Sequence, residues 1–509
     1  MNSMSNHLFD ALLAGRQQGD GQLFVPYGNA TTRVDTDDAF FNLSARFATV
    51  LQDSGVKPGD RVAAQVAKSV EALALYIACV RAGAVFLPLN TAYTESEISY
   101  FIEDASPQMF IVDSARQAMG ERLLDKSCVL TLNGEGQGSL VSQAAEAIAQ
   151  HVVVARGPED LAAILYTSGT TGRSKGAMLS HANLLSNAAT LREHWQFSAS
   201  DVLLHALPIF HTHGLFVASN IMFLCGGRMI FQPAFSTDAV LDALPQATAL
   251  MGVPTFYTRL LGDAKFNQTL VDHMRLFISG SAPLLADTHR EFEARTGQRI
   301  LERYGMTETN MNTSNPYDGD RRAGTVGPAL PGVEVRLMQP DTGQPSDTGE
   351  VGVLQVRGPN VFKGYWQMPD KTAEELLPDG FFITGDLATI DSDGYVAIVG
   401  RSKDLIIAGG YNIYPKELEL LIDELPGVME SAVIGIPHAD FGESVVAIVV
   451  RDHSAQGRSL DADQVIGRLA IKVAKFKQPR QVHFVEQLPR NTMGKVQKKA
   501  LRETYSQQV

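Results

Sequence analysis

The chain has 509 residues, too many for one hydrophobic core, so two or more domains are expected. Its apolar fraction of 45% is ordinary for a globular protein, and its formal net charge of −13 argues against nucleic acid or an anionic membrane as partner. Three cysteines, Cys79, Cys128 and Cys225, are widely separated and match no metal spacing, which favours free thiols in a reducing compartment. Residues 1–13 lack a basic stretch followed by an apolar one. The longest apolar run, Leu215 to Cys225, contains Asn220 and falls short of a membrane span, so a soluble cytoplasmic protein is expected.

From about residue 36 to 150 amphipathic helices alternate with short strands. Arg61 to Val66 reads as a strand, Val70 to Arg81 as a helix ending near Gly83, and Val85 to Leu89 as the next strand. This is βαβ grammar and predicts a parallel sheet covered by helices. The pattern repeats with a helix from His181, strands at Val202 to Ala206 and Arg228 to Phe231, and a helix near Gly214 to Leu224. It recurs around Ala249, Pro254 to Leu261 and Arg275 to Ile278. Beyond Gly327, short strands punctuated by Gly, Pro and Asp (Val333 to Leu337, Gly352 to Val356) predict a small β subdomain. After Gly400 a separate small unit begins. The expected fold class is α/β: a large N-terminal domain of stacked βαβ-type sheets with a small β subdomain over residues 1–400, and a small, mobile α+β C-terminal domain over 401–509. Residues 468–509 hold ten Lys/Arg against two Glu, which reads either as a solvated face or as one that meets phosphates.

The most distinctive segment runs from Leu165 to Gly176. An apolar run, Leu161 to Leu165, reads as a buried strand that breaks into a stretch of mostly Thr, Ser and Gly leading to Lys175. Free backbone N–H groups, hydroxyls and glycines let such a loop wrap an anion closely, and the lysine adds a point charge. A grip on nucleotide phosphates is implied. The spacing of Gly169, Gly172 and Lys175 does not fit the common NTPase loop G-x-x-x-x-G-K-[ST].

Downstream come Tyr304-Gly-Met-Thr-Glu308, Thr384-Gly-Asp386, Gly400-Arg-Ser-Lys-Asp404 and Pro489-Arg-Asn-Thr-Met-Gly-Lys495. In this order, the five motifs resemble those of the adenylate-forming enzymes (acyl-CoA synthetases, luciferases and adenylation domains); within that family the chain looks like a malonyl-CoA synthetase, a resemblance that depends on Arg259 and Arg303. The resemblance implies that an acid is activated as acyl-AMP with ATP and Mg²⁺, then passed to CoA. It assigns Thr167, Ser168, Gly169, Thr170, Thr171, Gly172 and Lys175 to the β- and γ-phosphates, Tyr304 to adenine and Thr307 to the α-phosphate. Glu302, Gly305 and Met306 complete its nucleotide site. Glu308, the only carboxylate of its motif, suits Mg²⁺, which takes one or two protein carboxylates plus substrate oxygens. Asp386, just past a tight turn, suits both ribose hydroxyls; Arg401 resembles the second ribose contact and Lys403 the hinge residue. Lys495, beside Gly494 in a polar loop, resembles the catalytic lysine, whose charge stabilises the carboxylate, the α-phosphate and the bridging oxygen. A lysine so used is also an expected target of a protein lysine acetyltransferase and its opposing deacetylase, since acetylation removes the charge.

Arg303 directly precedes Tyr304 and, by strand alternation, points away from it. Arg259, on the helix opened by Pro254, shares a face with Thr255 and Phe256. The resemblance puts acyl-pocket walls in both places, so guanidiniums stand where hydrocarbon normally would. A desolvated, unpaired charge costs several kcal/mol or more, so such an arginine demands an anion, and the free carboxylate of a short diacid supplies it. The other reading, that both pair with Asp or Glu in the fold, stays open. His211 resembles the family's pocket histidine, and Ser281 is implied as a further acid contact; a metal at His211 and His213 lacks other ligands. Malonate is the favoured acid, with methylmalonate next. Alternatives are another short-chain or dicarboxylic acid, or the charging of a carrier protein, which the lack of a carrier-like Asp-Ser segment after Lys495 disfavours. A non-catalytic regulator would lose Glu308 or Lys495, and an oxidative luciferase would need a bulkier, uncharged pocket.

Overall fold

Short apolar runs without alternation, such as Val202–His205 and Leu276–Ser279, are buried along their whole length, as strands covered on both faces must be. The computed structural model describes residues 6–26, 34–149, 152–167, 174–340, 342–408, 411–438, 441–490 and 495–506. The first sheet joins β1 (Arg61–Gln65), β2 (Val85–Pro88), β3 (Met109–Val112), β4 (Val129–Thr131), β5 (Leu161–Thr167) and β6 (Lys175–Ser180) in the order β4-β3-β1-β2-β5-β6. A second sheet joins β7 (Val202–His205), β8 (Arg228–Phe231), β9 (Ala249–Gly252), β10 (Leu276–Ser279), β11 (Leu301–Met306) and β12 (Asn310–Ser314) in the order β12-β11-β10-β9-β7-β8. Each sheet has five parallel strands and an antiparallel edge, β6 on β5 and β12 on β11. Helices make the crossovers. Val70–Ala82, for example, starts where the Ser69 hydroxyl accepts the Ala72 N–H and stops at Gly83, whose φ of 70° is left-handed.

At the two antiparallel edges the chain turns back in hairpins, and the residues after Pro359 tie these hairpins together. The Asn360 amide donates to Thr309 O (2.6 Å) and Met311 O (3.2 Å), and the Phe362 N–H donates to Glu308 O (2.8 Å). A few residues on, the Trp366 N–H donates to Gly176 O (2.7 Å). Both sheets belong to a compact unit formed by Met1–Val335 and Val356–Phe382.

The second unit comprises Arg336–Gln355 and Ile383–Val509. A four-stranded sheet of β13 (Glu334–Met338), β14 (Gly352–Arg357), β15 (Phe382–Ile390) and β16 (Val396–Arg401) lies mainly within it. A further sheet combines β17 (Ile406–Ala408), β18 (Tyr411–Ile413), β19 (Val428–His438), β20 (Gly442–Arg451) and β21 (Gln481–Val485). Its side chains alternate between two cores. Val433, Val445 and Ala447 pack with Leu418, Ile422 and Leu469, whereas Ile434, Val446 and Ile448 pack with Leu488 and Leu501. In this division the β subdomain groups with the C-terminal segment, and helix Pro415–Asp423 packs against β16. The helix expected near Gly214 begins as a π-helix over His213–Ser219 and continues as an α-helix over Asn220–Cys225. All three cysteines are free, and among the described residues no helix is long and apolar enough to cross a membrane.

Candidate active site

The Thr/Ser/Gly segment is the connection of a hairpin. Thr167 closes β5 and pairs with Lys175, the first residue of β6. Ser168, Gly169, Thr170, Thr171 and Gly172 lie outside the described residues. Lys175 Nζ lies 3.2 Å from both Glu375 oxygens and 4.1 Å from the centre of the Tyr365 ring. A phosphate must therefore share this lysine with Glu375 or draw it away. Burial alone would raise the Glu375 pKa, but the Tyr365 hydroxyl and the Lys371 and Lys175 ammoniums outweigh it and hold the carboxyl below its usual range.

The β11–β12 hairpin brings Tyr304, Gly305, Met306, Thr307 and Glu308 together in one turn. A bulge between Tyr304 and Gly305 re-aims the strand, and a Cβ on Gly305 would lie 1.8 Å from Asn310 O, so only glycine allows the turn. Glu308 is buried. Its Oε1 lies 3.1 Å from the Tyr365 hydroxyl and 3.5 Å from Thr167 Oγ1, and Tyr365 also lies 2.6 Å from Glu375 Oε2. Tyr365 thus links the carboxylate of one hairpin to the lysine partner of the other. Burial and the two carboxylates keep its hydroxyl protonated well above the usual phenol range. A buried hard-oxygen ligand held by hydroxyl donors fits Mg²⁺ bound by one protein carboxylate and substrate oxygens. Among the described residues no cluster of three or more His, Cys, Asp or Glu offers a fuller cage. Glu302 differs from expectation: its carboxylate turns to His289 Nδ1 (3.0 Å) in a buried pair, and burial raises its pKa. Its carbonyl accepts from the Asn315 N–H (3.0 Å) and side-chain amide (3.1 Å).

Arg303 is buried, and among the described residues its Nε and Nη2 have no hydrogen-bond partner. Burial pushes the guanidinium down to about 9, so it stays charged at neutral pH. Among the described residues no Asp or Glu pairs with Arg303. Beside it lies His213, whose pKa is pushed well down by burial first and then by the Arg303, His211 and His205 charges, so it is neutral. Ser281 Oγ lies 3.3 Å from His213 Nδ1, and Ser281 adopts a φ of 70°, a conformation that a non-glycine residue holds only when its surroundings impose it. His211 is half-buried at the turn leading into the π-helix, where its carbonyl accepts the Leu215 N–H (3.0 Å). Arg259 does not join this cluster. It is exposed on the rim of helix Pro254–Leu261, 6.0 Å from the Phe235 ring, because Phe256, Tyr257, Leu260 and Leu261 take the buried face.

In the second unit β15 and β16 bring two separate motifs together. Asp386 pairs with Arg401 in the strand register, and Arg401 Nε lies 2.6 Å from Asp386 Oδ1. The Asp386 N–H donates to Thr384 Oγ1 (3.0 Å), and Gly385 supplies the left-handed φ of 71° that tightens the turn. Lys403 is exposed in a single helical turn, where partial desolvation, with Arg401 and Arg502 nearby, lowers its pKa. Lys495 is exposed; around it the chain closes through an Arg490–Val496 bridge and a Gln497 N–H donated to Pro489 O (2.8 Å), while Gly494 lies outside the described residues. Basic residues of the C-terminal run form ion pairs within this unit: Lys472–Glu424 (3.0 Å), Lys477–Glu417 (2.8 Å), Lys498–Glu419 (2.5 Å), Arg490–Glu430 and Arg502–Asp404. Tyr365 and Glu375 were missed in the sequence because Gly364-Tyr365-Trp366 reads as ordinary aromatic packing.

Two α/β sheets whose hairpin edges present a Thr/Ser/Gly loop and a buried carboxylate, with an Asp–Arg pair in the second unit, agree with the family models. The chain belongs to the AMP-binding enzymes: that family's model matches residues 37–366, and the model of its C-terminal domain matches 417–495. Among solved structures it is similar to ATP-bound MatB from Rhodopseudomonas palustris, at 57% identity over 98% of this chain and 99% of that one, with a TM-score of 0.95. It is 34% identical to a malonate–CoA ligase from Arabidopsis thaliana, over 89% of this chain and 79% of that protein. It is also 35% identical to a feruloyl-CoA synthase from an Amycolatopsis species, over 94% of this chain and 96% of that one.

Proposed function

We propose that this AMP-forming acyl-CoA ligase activates malonate, with methylmalonate next in preference. The observation that carries the reading is Arg303, a buried charged guanidinium with two unpartnered donors. An acid with a second carboxylate supplies what those donors lack, in bidentate geometry. The likeness to MatB and to a malonate–CoA ligase supports the same substrate. A stearate or ferulate tail against Arg303 would leave the charge buried without compensation, at a cost of several kcal/mol.

In the first half-reaction a carboxylate oxygen of malonate bonds to the α-phosphorus of ATP, and the bond to pyrophosphate breaks. In the second, the CoA sulfur bonds to the acyl carbon, AMP leaves with the former carboxylate oxygen, and the thiol proton is released. Arg303 holds the distal carboxylate, with Ser281, His211 and neutral His213 beside it and Arg259 at the rim. Thr167 to Lys175 hold the β- and γ-phosphates; Thr307 takes the α-phosphate, and Tyr304 with the turn after it takes the adenine. Asp386, paired with Arg401, accepts the ribose hydroxyls. Glu308 carries Mg²⁺, which when bound offsets the charge gathering on the phosphates. The Tyr365 hydroxyl orients Glu308 and thereby ties phosphate grip to metal site. Lys495 approaches the two reacting anions, the small domain turns at Lys403 between half-reactions, and acetylation of Lys495 by a protein acetyltransferase silences the first of them. Incubating the purified protein with malonate, ATP, Mg²⁺ and CoA should yield malonyl-CoA, AMP and pyrophosphate in equal amounts. Release of ADP and phosphate, or no thioester, would overturn the reading.

A further inference from the structure

Gly280 follows β10 directly, and its N–H is donated to Gly252 O at 3.3 Å. Its backbone lies outside the left-handed region, so conformation does not call for glycine here. Space does. A Cβ at this position would lie 2.3 Å from Arg303 Cζ, 2.5 Å from Nε and 2.6 Å from Nη1. Its three nearest neighbours are all atoms of that guanidinium, the far end of a flexible side chain, and none is backbone. Gly305 is the contrast, because its Cβ would strike the Asn310 carbonyl at 1.8 Å and destroy the hairpin. Gly305 serves the fold; Gly280 serves Arg303.

We propose that Gly280 is a specificity-determining residue: its bare Cα is the surface on which the Arg303 guanidinium lies, with Nε and Nη2 left buried for the second carboxylate of the acid. The inference rests on the role given to Arg303 above. Any side chain at 280 pushes the guanidinium aside, and recognition of the diacid is lost while the backbone stays as it is. The next residue, Ser281, is the one that reaches His213, so the two sides of this turn serve the same cluster.

A double-mutant cycle of Gly280→Ala and Arg303→Ala tests this, with kcat/KM for malonate and butyrate, KM for ATP and thermal unfolding as readouts. Gly280→Ala should lower malonate kcat/KM by at least about 100-fold, since a site that loses its polar partner forfeits most of its discrimination. Butyrate and the ATP KM should move by no more than about twofold, the size of ordinary non-additivity. In the Arg303→Ala background Gly280→Ala should add no more than about twofold, because the atoms it displaces are gone. Equal losses in both backgrounds, or an undiminished malonate preference in Gly280→Ala, would overturn the inference. If Arg303→Ala itself keeps malonate activity, the proposed substrate falls instead. If Gly280→Ala fails to fold, the double variant decides: recovery of folding supports the contact, and failure of both shows that Gly280 serves the fold.

Discussion

Arg303→Met separates a binding charge from a structural one, because the two roles predict opposite changes in stability. The methionine follows the arginine stem as far as Nε and leaves the β11 backbone alone, but it removes a buried guanidinium whose Nε and Nη2 have no partner among the described residues. If those donors bind the second carboxylate, the variant loses two charge-assisted hydrogen bonds worth about 1.5–3 kcal/mol each, or about 3–6 kcal/mol together. That is a loss of about 10²- to 10⁴-fold in malonate kcat/KM. Butyrate, which never used the charge, should be handled as well or better. The free protein, relieved of a desolvated and unpaired charge, should hold its melting temperature or gain in it. ATP–pyrophosphate exchange with each acid, an ATP titration and a thermal melt give the readouts. A melting temperature that collapses together with ATP binding would mean that Arg303 holds the fold, and the substrate argument would fail.

Tyr365→Phe should slow ATP–pyrophosphate exchange by about 10- to 100-fold, the worth of one hydrogen bond to a carboxylate, without raising KM for malonate; an unchanged exchange rate would remove Tyr365 from the site. Lys495→Ala, or stoichiometric acetylation of Lys495, should abolish malonyl-AMP formation yet still convert supplied malonyl-AMP with CoA, whereas Lys403→Pro, which fixes φ at the hinge, should do the reverse. Comparable loss of both half-reactions in both variants would refute that division. Asp423, half-buried and hydrogen-bonded to the Ser431 hydroxyl (2.7 Å), has its pKa pushed up by desolvation to about 6 from the usual 3.8. The folded state therefore holds this proton over that window, and Asp423 costs stability as pH rises through it. Asp423→Asn should accordingly stabilise the protein at pH 7.5 by on the order of 2 kcal/mol and give no gain near pH 4, as thermal melts at the two pH values will show.

The βαβ grammar and the five motifs were legible because parallel strands buried on both faces need continuous apolar runs and because the site chemistry is written in short contiguous segments. The pairing of Asp386 with Arg401 followed from such segments once the strand register joined them. What could not be read depends on distant residues. Tyr365 and Glu375 reach Glu308 and Lys175 only because the stretch after Pro359 ties together two hairpins far apart in sequence. Arg259 was expected to face inward from its spacing to Phe256. Yet at about 100° per residue the buried stripe is centred between Tyr257 and Leu260, and position 259 falls outside it. The grouping of residues 336–355 with the C-terminal segment is likewise a matter of sheet pairing, which no local pattern announces.

The claim that charge selects the acid is tested most directly by ATP–pyrophosphate exchange across mono- and dicarboxylic acids of two to six carbons. A buried donor rejects an analogue lacking its partner by up to about 10⁴–10⁵-fold, whereas one methylene is worth only about 10–200-fold. Malonate should therefore exceed acetate and butyrate by far more than it exceeds methylmalonate. Equal exchange with malonate and acetate would contradict the account.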